Sequence, residues 1–184
     1  LEEVAGGEAS QDVLLAGLFS RVNFLDILQN FTIFEPVDGR VIKKIPRYQQ
    51  FRAVHKTIER LKAGNTPKDK SGVIWHTQGS GKSLTMVFLT VKIRRDPELK
   101  GYKLVFLTDR KQLDAQLTTT FSHAQNETVH HADSVESLKK LLASDSSDIV
   151  TAMVQKFQER SDNFEFPVLN ESHKIIVLAD EAHR

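Results

Sequence analysis

The chain contains no cysteine, which excludes disulfides, thiolate zinc sites and cysteine nucleophiles and fits a reducing cytoplasm. No apolar run approaches the roughly 18 residues needed to cross a bilayer. The start, Leu1-Glu2-Glu3-Val4-Ala5-Gly6-Gly7-Glu8, lacks the basic-then-apolar layout of a signal peptide. A dominant charge is missing too. Lys and Arg number 25 against 24 Asp and Glu, a net charge of +1, so nucleic-acid contact would have to come from a local patch. Internal repeats and low-complexity tracts are absent. What is present suits one folded domain with extra material: 184 residues, 40% hydrophobic and 27% charged. The chain has no initiating Met and stops one residue after an acidic motif, so it reads as a piece of a longer protein.

Two parts are expected. In Leu1–Pro46, residues 1–9 form a loose acidic end. Ser10 caps a helix carrying Val13, Leu14, Leu15, Leu18 and Phe19, and Ser20 caps a second with Phe24, Leu25, Ile27 and Leu28. Pro36-Val37-Asp38-Gly39 is a turn, and Val41–Pro46 is a short strand or extended linker. In Arg47–Arg184, helices are expected over Arg47–Lys62, Leu84–Arg95, Arg110–Phe121 and Val135–Leu142, the last capped by Ser134. Strands are expected over Gly72–His76, Leu104–Leu107, Asp148–Met153 and Lys174–Ala179, and Ala63–Ser71 is a polar loop. Strands alternating with helices imply an α/β fold with a parallel sheet and right-handed crossovers. Phe51, Phe88, Phe106 and Phe121 fall at core positions.

The stretch His76-Thr77-Gln78-Gly79-Ser80-Gly81-Lys82-Ser83 lies between an apolar segment and an amphipathic helix. That is the context of a phosphate loop. Glycines let backbone N–H groups converge on phosphate oxygens, and the following helix N-terminus adds its own N–H groups and positive dipole end. Lys82 is placed to meet the β- and γ-phosphates of a nucleotide and the Ser83 hydroxyl to ligate Mg²⁺. The full pattern wants glycine where this chain has His76.

The apolar run Ile175-Ile176-Val177-Leu178-Ala179 reads as a strand buried on both faces. It delivers Asp180-Glu181-Ala182-His183 to its carboxyl end, where parallel sheets bind ligands. Asp180 is placed to hold Mg²⁺ and Glu181 to orient and deprotonate the attacking water. His183 would couple nucleotide state to a partner element. The two motifs suit one site.

Several stretches together resemble the motor, or restriction, subunit of type I restriction–modification enzymes, a superfamily 2 DNA translocase with a DEAH-type box. They are Trp75–Thr85, Leu107–Gln116 with Asp109-Arg110, Met153-Val154-Gln155-Lys156-Phe157, Asn30–Glu35 and Arg47-Tyr48-Gln49-Gln50. The resemblance covers about residues 14 to 184 in order, with Met153 where the family usually has Thr. It implies a RecA-like P-loop domain, the first helicase lobe truncated at the DEAH strand. A small helical and extended linker over 1–46 would precede it, following a nuclease domain that lies outside the chain. It also implies binding of ATP, Mg²⁺ and double-stranded DNA, and partnership with modification (methyltransferase) and specificity subunits. Catalytic roles fall to Lys82 and Glu181, and metal binding to Ser83 and Asp180. Gln50 and Thr77 to Ser83 would hold the cofactor, with Gln50 reading adenine unless it is an exposed helix glutamine. Thr108, Arg110, Gln155 and Lys156 would contact DNA, unless Thr108-Asp109 only opens the next helix and Gln155-Lys156 is a solvated face. Such motors hydrolyse ATP between two lobes, so residues 1–184 alone are expected to hydrolyse it poorly or not at all. Another superfamily 2 DNA or RNA helicase is the alternative. Among weaker features, His130-His131 with His123 nearby reads as a polar loop, and Lys92, Arg94 and Arg95 close a helix.

Overall fold

A computed structural model describes residues 10–37, 39–108, 129–153 and 168–180. The expected helix Arg110–Phe121, together with His123, Gln155, Lys156, Glu181 and His183, lies outside the described residues. The chain divides into two compact units, Leu1–Val91 and Lys92–Arg184.

The first unit opens with α1 (Ser10–Phe19) and α2 (Arg21–Asn30). Ser20 caps α2 as its residue type favours: its Oγ accepts the Asn23 N–H at 3.3 Å. Next comes an antiparallel hairpin, β1 (Ile33–Val37) and β2 (Arg40–Lys44), closed at Gly39 with φ +75°. The expected extended segment is therefore β2, and β1 is the partner that sequence did not suggest. Lys44 pairs with Glu35 across the hairpin. Helix α3 (Tyr48–Ala63) buries Val54 and Ile58. Fully buried Phe31 packs against Phe51, Phe88 and His55, with ring centroids 4.8, 5.4 and 5.8 Å away. His55 Nε2 sits 2.7 Å from Asp26 Oδ2, which ties α2 to α3.

Two expectations change here. The polar loop contains a one-turn helix, α4 (Pro67–Lys70), because Thr66 and Asp69 form a reciprocal capping box: Thr66 N–H donates to Asp69 Oδ2 at 3.0 Å, and Asp69 N–H to Thr66 Oγ1 at 3.2 Å. Hydrogen bonds from Thr66 hold the Asp69 carboxyl below its usual range. The expected buried strand Gly72–His76 is not a strand, and Val73 and Trp75 are each 87% exposed. A strand needs a ladder partner for its N–H and C=O groups. The two described strands of this unit, β1 and β2, pair with each other.

Helix α5 (Lys82–Arg95) starts two residues earlier than expected and buries Val87, Phe88, Leu89, Val91 and Ile93. At its end Arg94 donates to the carbonyls of Lys100 and Tyr102, at 3.1 and 2.6 Å.

The second unit is built on a parallel four-stranded sheet in the order β4 (Val129–His131), β5 (Ile149–Met153), β3 (Lys103–Thr108), β6 (Ile175–Ala179). The α/β fold with a parallel sheet is as expected. Leu104, Val105 and Phe106 of β3 and Ile149, Val150 and Ala152 of β5 are all but inaccessible, as central strands should be. Helix α6 (Val135–Ala143), capped by Ser134 Oγ accepting the Ser137 N–H at 3.1 Å, lays Leu138 against Ala132, Val150 and Ala152. Lys103 is nearly buried. Its ammonium donates to the Leu141 carbonyl and, at 2.8 Å, to Ser144 Oγ, while burial holds its pKa below the usual lysine value.

Two more expectations change in this unit. His130-His131 is not a loop but part of β4, whose His130 and His131 align with Val150 and Thr151; two adjacent polar residues give no alternating signal, and the ladder supplies the order. Strand β6 is not buried on both faces. Among the described residues it pairs on one side with β3, and Val177 is 56% exposed. No helix among the described residues is long and apolar enough to cross a membrane.

Candidate nucleotide site

The loop Thr77–Ser83 is shaped by turn chemistry. The Ser80 N–H donates to the Thr77 carbonyl at 3.2 Å, and Ser80 Oγ donates to the same oxygen at 2.6 Å. Gly79, third in that turn, has φ +75°, the left-handed region where glycine avoids a Cβ penalty. Gly81 follows with φ +86° and its carbonyl accepts the Thr85 N–H at 3.0 Å as α5 begins. The two glycines differ in their surroundings. A Cβ on Gly79 would meet nothing within 4 Å, whereas one on Gly81 would come within 2.7 Å of Gln50 Nε2.

Lys82 and Ser83 occupy the first turn of the 14-residue α5 and are half-buried, while Thr77, Gln78 and Gly79 are exposed. The helix N-terminus thus presents a cation and a hydroxyl at its positive dipole end, next to open space at Gly79. These residues fit a nucleotide polyphosphate with Mg²⁺: the glycines leave room for close approach, Lys82 supplies charge and Ser83 an oxygen ligand.

Gln50 is not an exposed helix glutamine. It is 2% exposed, and its Nε2 donates to the Gly81 carbonyl at 3.0 Å and the Ser80 carbonyl at 3.5 Å. No local signal announces a contact spanning 30 residues; only the loop's need for outward-turned carbonyls could have hinted at it. His76 is also distinctive. It is half-buried in an otherwise exposed stretch, and its Nδ1 is buried without a hydrogen-bond partner among the described residues.

In the second unit, Asp180 follows β6 directly. Its N–H donates to the Leu107 carbonyl at 2.9 Å, continuing the β3–β6 ladder in which Leu107 aligns with Ala179. Thr108, the last residue of β3, is 2% exposed. Register therefore brings Thr108 and half-buried Asp180 together at the carboxyl end of the sheet, where parallel sheets bind ligands. The other expected residues, Glu181, Arg110, Gln155 and Lys156, lie outside the described residues.

Comparison with known proteins accords with this geometry. Residues 49–184 match the family model described as SWI2/SNF2 ATPase. The HindI endonuclease subunit of a type I restriction enzyme from Haemophilus influenzae is 38% identical over 178 residues, covering 93% of this chain and 17% of that protein. Two proteins of Methanocaldococcus jannaschii bear the same kind of name. MjaIXP is 39% identical over 180 residues, 95% of this chain and 17% of the relative, and MjaVIIIP is 30% identical over 186 residues, 91% and 18%. The chain thus spans about a sixth of the length of the relatives it matches. With residues 49–184 matched to that family model, most of its length, the chain belongs to the SWI2/SNF2 ATPase family and is similar to type I restriction endonuclease subunits.

Proposed function

We propose that the chain is part of the ATP-dependent DNA translocase subunit of a type I restriction endonuclease. The observation that carries this reading is the loop with Gly79 and Gly81 at positive φ running into the first turn of α5 at Lys82 and Ser83. In this reading Thr77, Gln78, Gly79, Ser80, Gly81 and Lys82 cradle the phosphates, and Ser83 and Asp180 hold Mg²⁺. Lys82 stabilises charge that develops on the transferred phosphoryl group. Glu181 orients and deprotonates the attacking water. Gln50 contacts adenine, while Thr108, Arg110, Gln155 and Lys156 meet the DNA backbone. Residues 1–46 are a linker and 47–184 the start of the first motor lobe. In the full assembly, hydrolysis drives double-stranded DNA translocation and cleavage, with methyltransferase and specificity subunits as partners, in the cytoplasm where that DNA lies.

Binding of ATP with Mg²⁺ to the intact protein tests the reading. ATP is expected to raise the melting temperature of the wild type, and Lys82→Ala to remove that shift and to slow DNA-dependent ATP turnover about 100-fold or more. Equal melting shifts in both proteins would remove the nucleotide site. DNA-stimulated hydrolysis without translocation on duplex DNA would favour a different superfamily 2 helicase.

A further inference from the structure

The Gln50 amide is held at both ends. Its Nε2 donates to the Gly81 carbonyl at 3.0 Å and lies 3.5 Å from the Ser80 carbonyl, a longer contact. Its Oε1 accepts the Arg47 N–H at 2.8 Å, satisfying a donor at the start of α3. The partners fix the amide's orientation, because reversal would set N–H against N–H and oxygen against two carbonyls.

A loop that grips phosphate through N–H groups has to turn its carbonyls elsewhere. The requirement is acute at Gly81, since glycine moves between backbone regions at little steric cost. In this structure Gly81 stays left-handed, and its carbonyl accepts from Gln50, from the Thr85 N–H at 3.0 Å and from Thr85 Oγ1 at 3.2 Å. Gln50 is the contact among these that comes from outside α5. The close fit works both ways, because the missing Cβ of Gly81 is what lets the amide approach.

We propose that Gln50 is a positioning residue for the phosphate loop, holding the Ser80 and Gly81 carbonyls outward so that the loop N–H groups remain presented to polyphosphate. This rests on the reading of Thr77–Ser83 as a phosphate loop and adds to it a role independent of the base. A base that drew on Gln50 as a donor would have to take it from the loop, so base and phosphate recognition share one amide.

The test uses a ligand without a base. In the intact protein, Gln50→Met keeps the length of the side chain and removes the donor. Affinities for Mg²⁺-tripolyphosphate, ATP and GTP are measured by calorimetry, with melting temperature as the check on folding. Tripolyphosphate and GTP are expected to weaken about five- to tenfold, as for loss of one hydrogen bond's organising effect, and ATP by at least that factor. A loss confined to ATP, with tripolyphosphate unchanged, would overturn the proposal and leave Gln50 as a reader of adenine alone. No change for any ligand would overturn it too. Wild-type protein that bound neither ATP nor tripolyphosphate would remove the phosphate-loop reading, and the proposal with it. Gln50→Glu is the second variant, since it keeps the acceptor for the Arg47 N–H. Faster amide hydrogen exchange over residues 77–83 is expected there without ligand, and unchanged exchange would count against the proposal.

Discussion

Thr77–Ser83 owes its shape to turn hydrogen bonds, two left-handed glycines and one side chain reaching over from α3, whereas Asp180 is set by the register of a parallel ladder. A ladder places a residue through several backbone bonds at once, so side-chain changes along it matter through packing beneath the strand. A turn-built loop has no such redundancy, and single atoms decide it. Two parts of one protein therefore differ in what damages them: core volume for the acidic end, backbone conformation for the loop.

The largest effect that would sharpen the contrast is expected at Phe106, fully buried in β3 beside β6. Phe106→Ala should cost about 3–5 kcal/mol in denaturant unfolding. A cost under about 1 kcal/mol would show that packing beneath the ladder does not hold it. The loop should respond to smaller changes. Gly79→Ala meets open space but a left-handed φ, so it is expected to cost about 1–2 kcal/mol. Gly81→Ala should cost more and also weaken nucleotide, because its Cβ would displace Gln50. Equal losses in the two variants would break the distinction between conformation and contact.

The smallest effect is electrostatic. Burial lowers the Lys103 pKa from 10.5, so the unfolded chain binds its proton more tightly than the folded one. Stability is therefore expected to rise with pH between the depressed folded value and 10.5. Lys103→Met should flatten that rise in urea titrations at a series of alkaline pH values. An identical slope in the variant would mean that another group is responsible.

Much of the architecture was legible because it depends on local chemistry. Ser20 and Ser134 act as N-caps, the apolar spacing of Val54 and Ile58 makes α3, and the runs at β3, β5 and β6 give a parallel sheet. What was not legible depends on partners. The segment Gly72–His76 has a strand-like composition, yet pairing rather than propensity decides, and among the described residues it is no strand and is largely exposed. The strand β4 was hidden for the converse reason, since its ladder comes from β5 while its own sequence is polar. In the candidate site, the glycine-rich turn running into a helix at Lys82-Ser83 was readable from spacing. The bond from Gln50 to the loop and the burial of His76 Nδ1 were not, because each arises from residues brought together by the fold.

The exposed segment before the loop also makes the protein self-reporting. Trp75 is the single tryptophan of the chain, and it lies two residues from Thr77 with its ring in water. Its emission therefore starts at the solvent-exposed, red end of the indole range. Any nucleotide, DNA or protein element that covers this segment will shift the spectrum to the blue. The chain thus carries an intrinsic fluorophore beside its candidate phosphate loop, and binding there can be followed without a label.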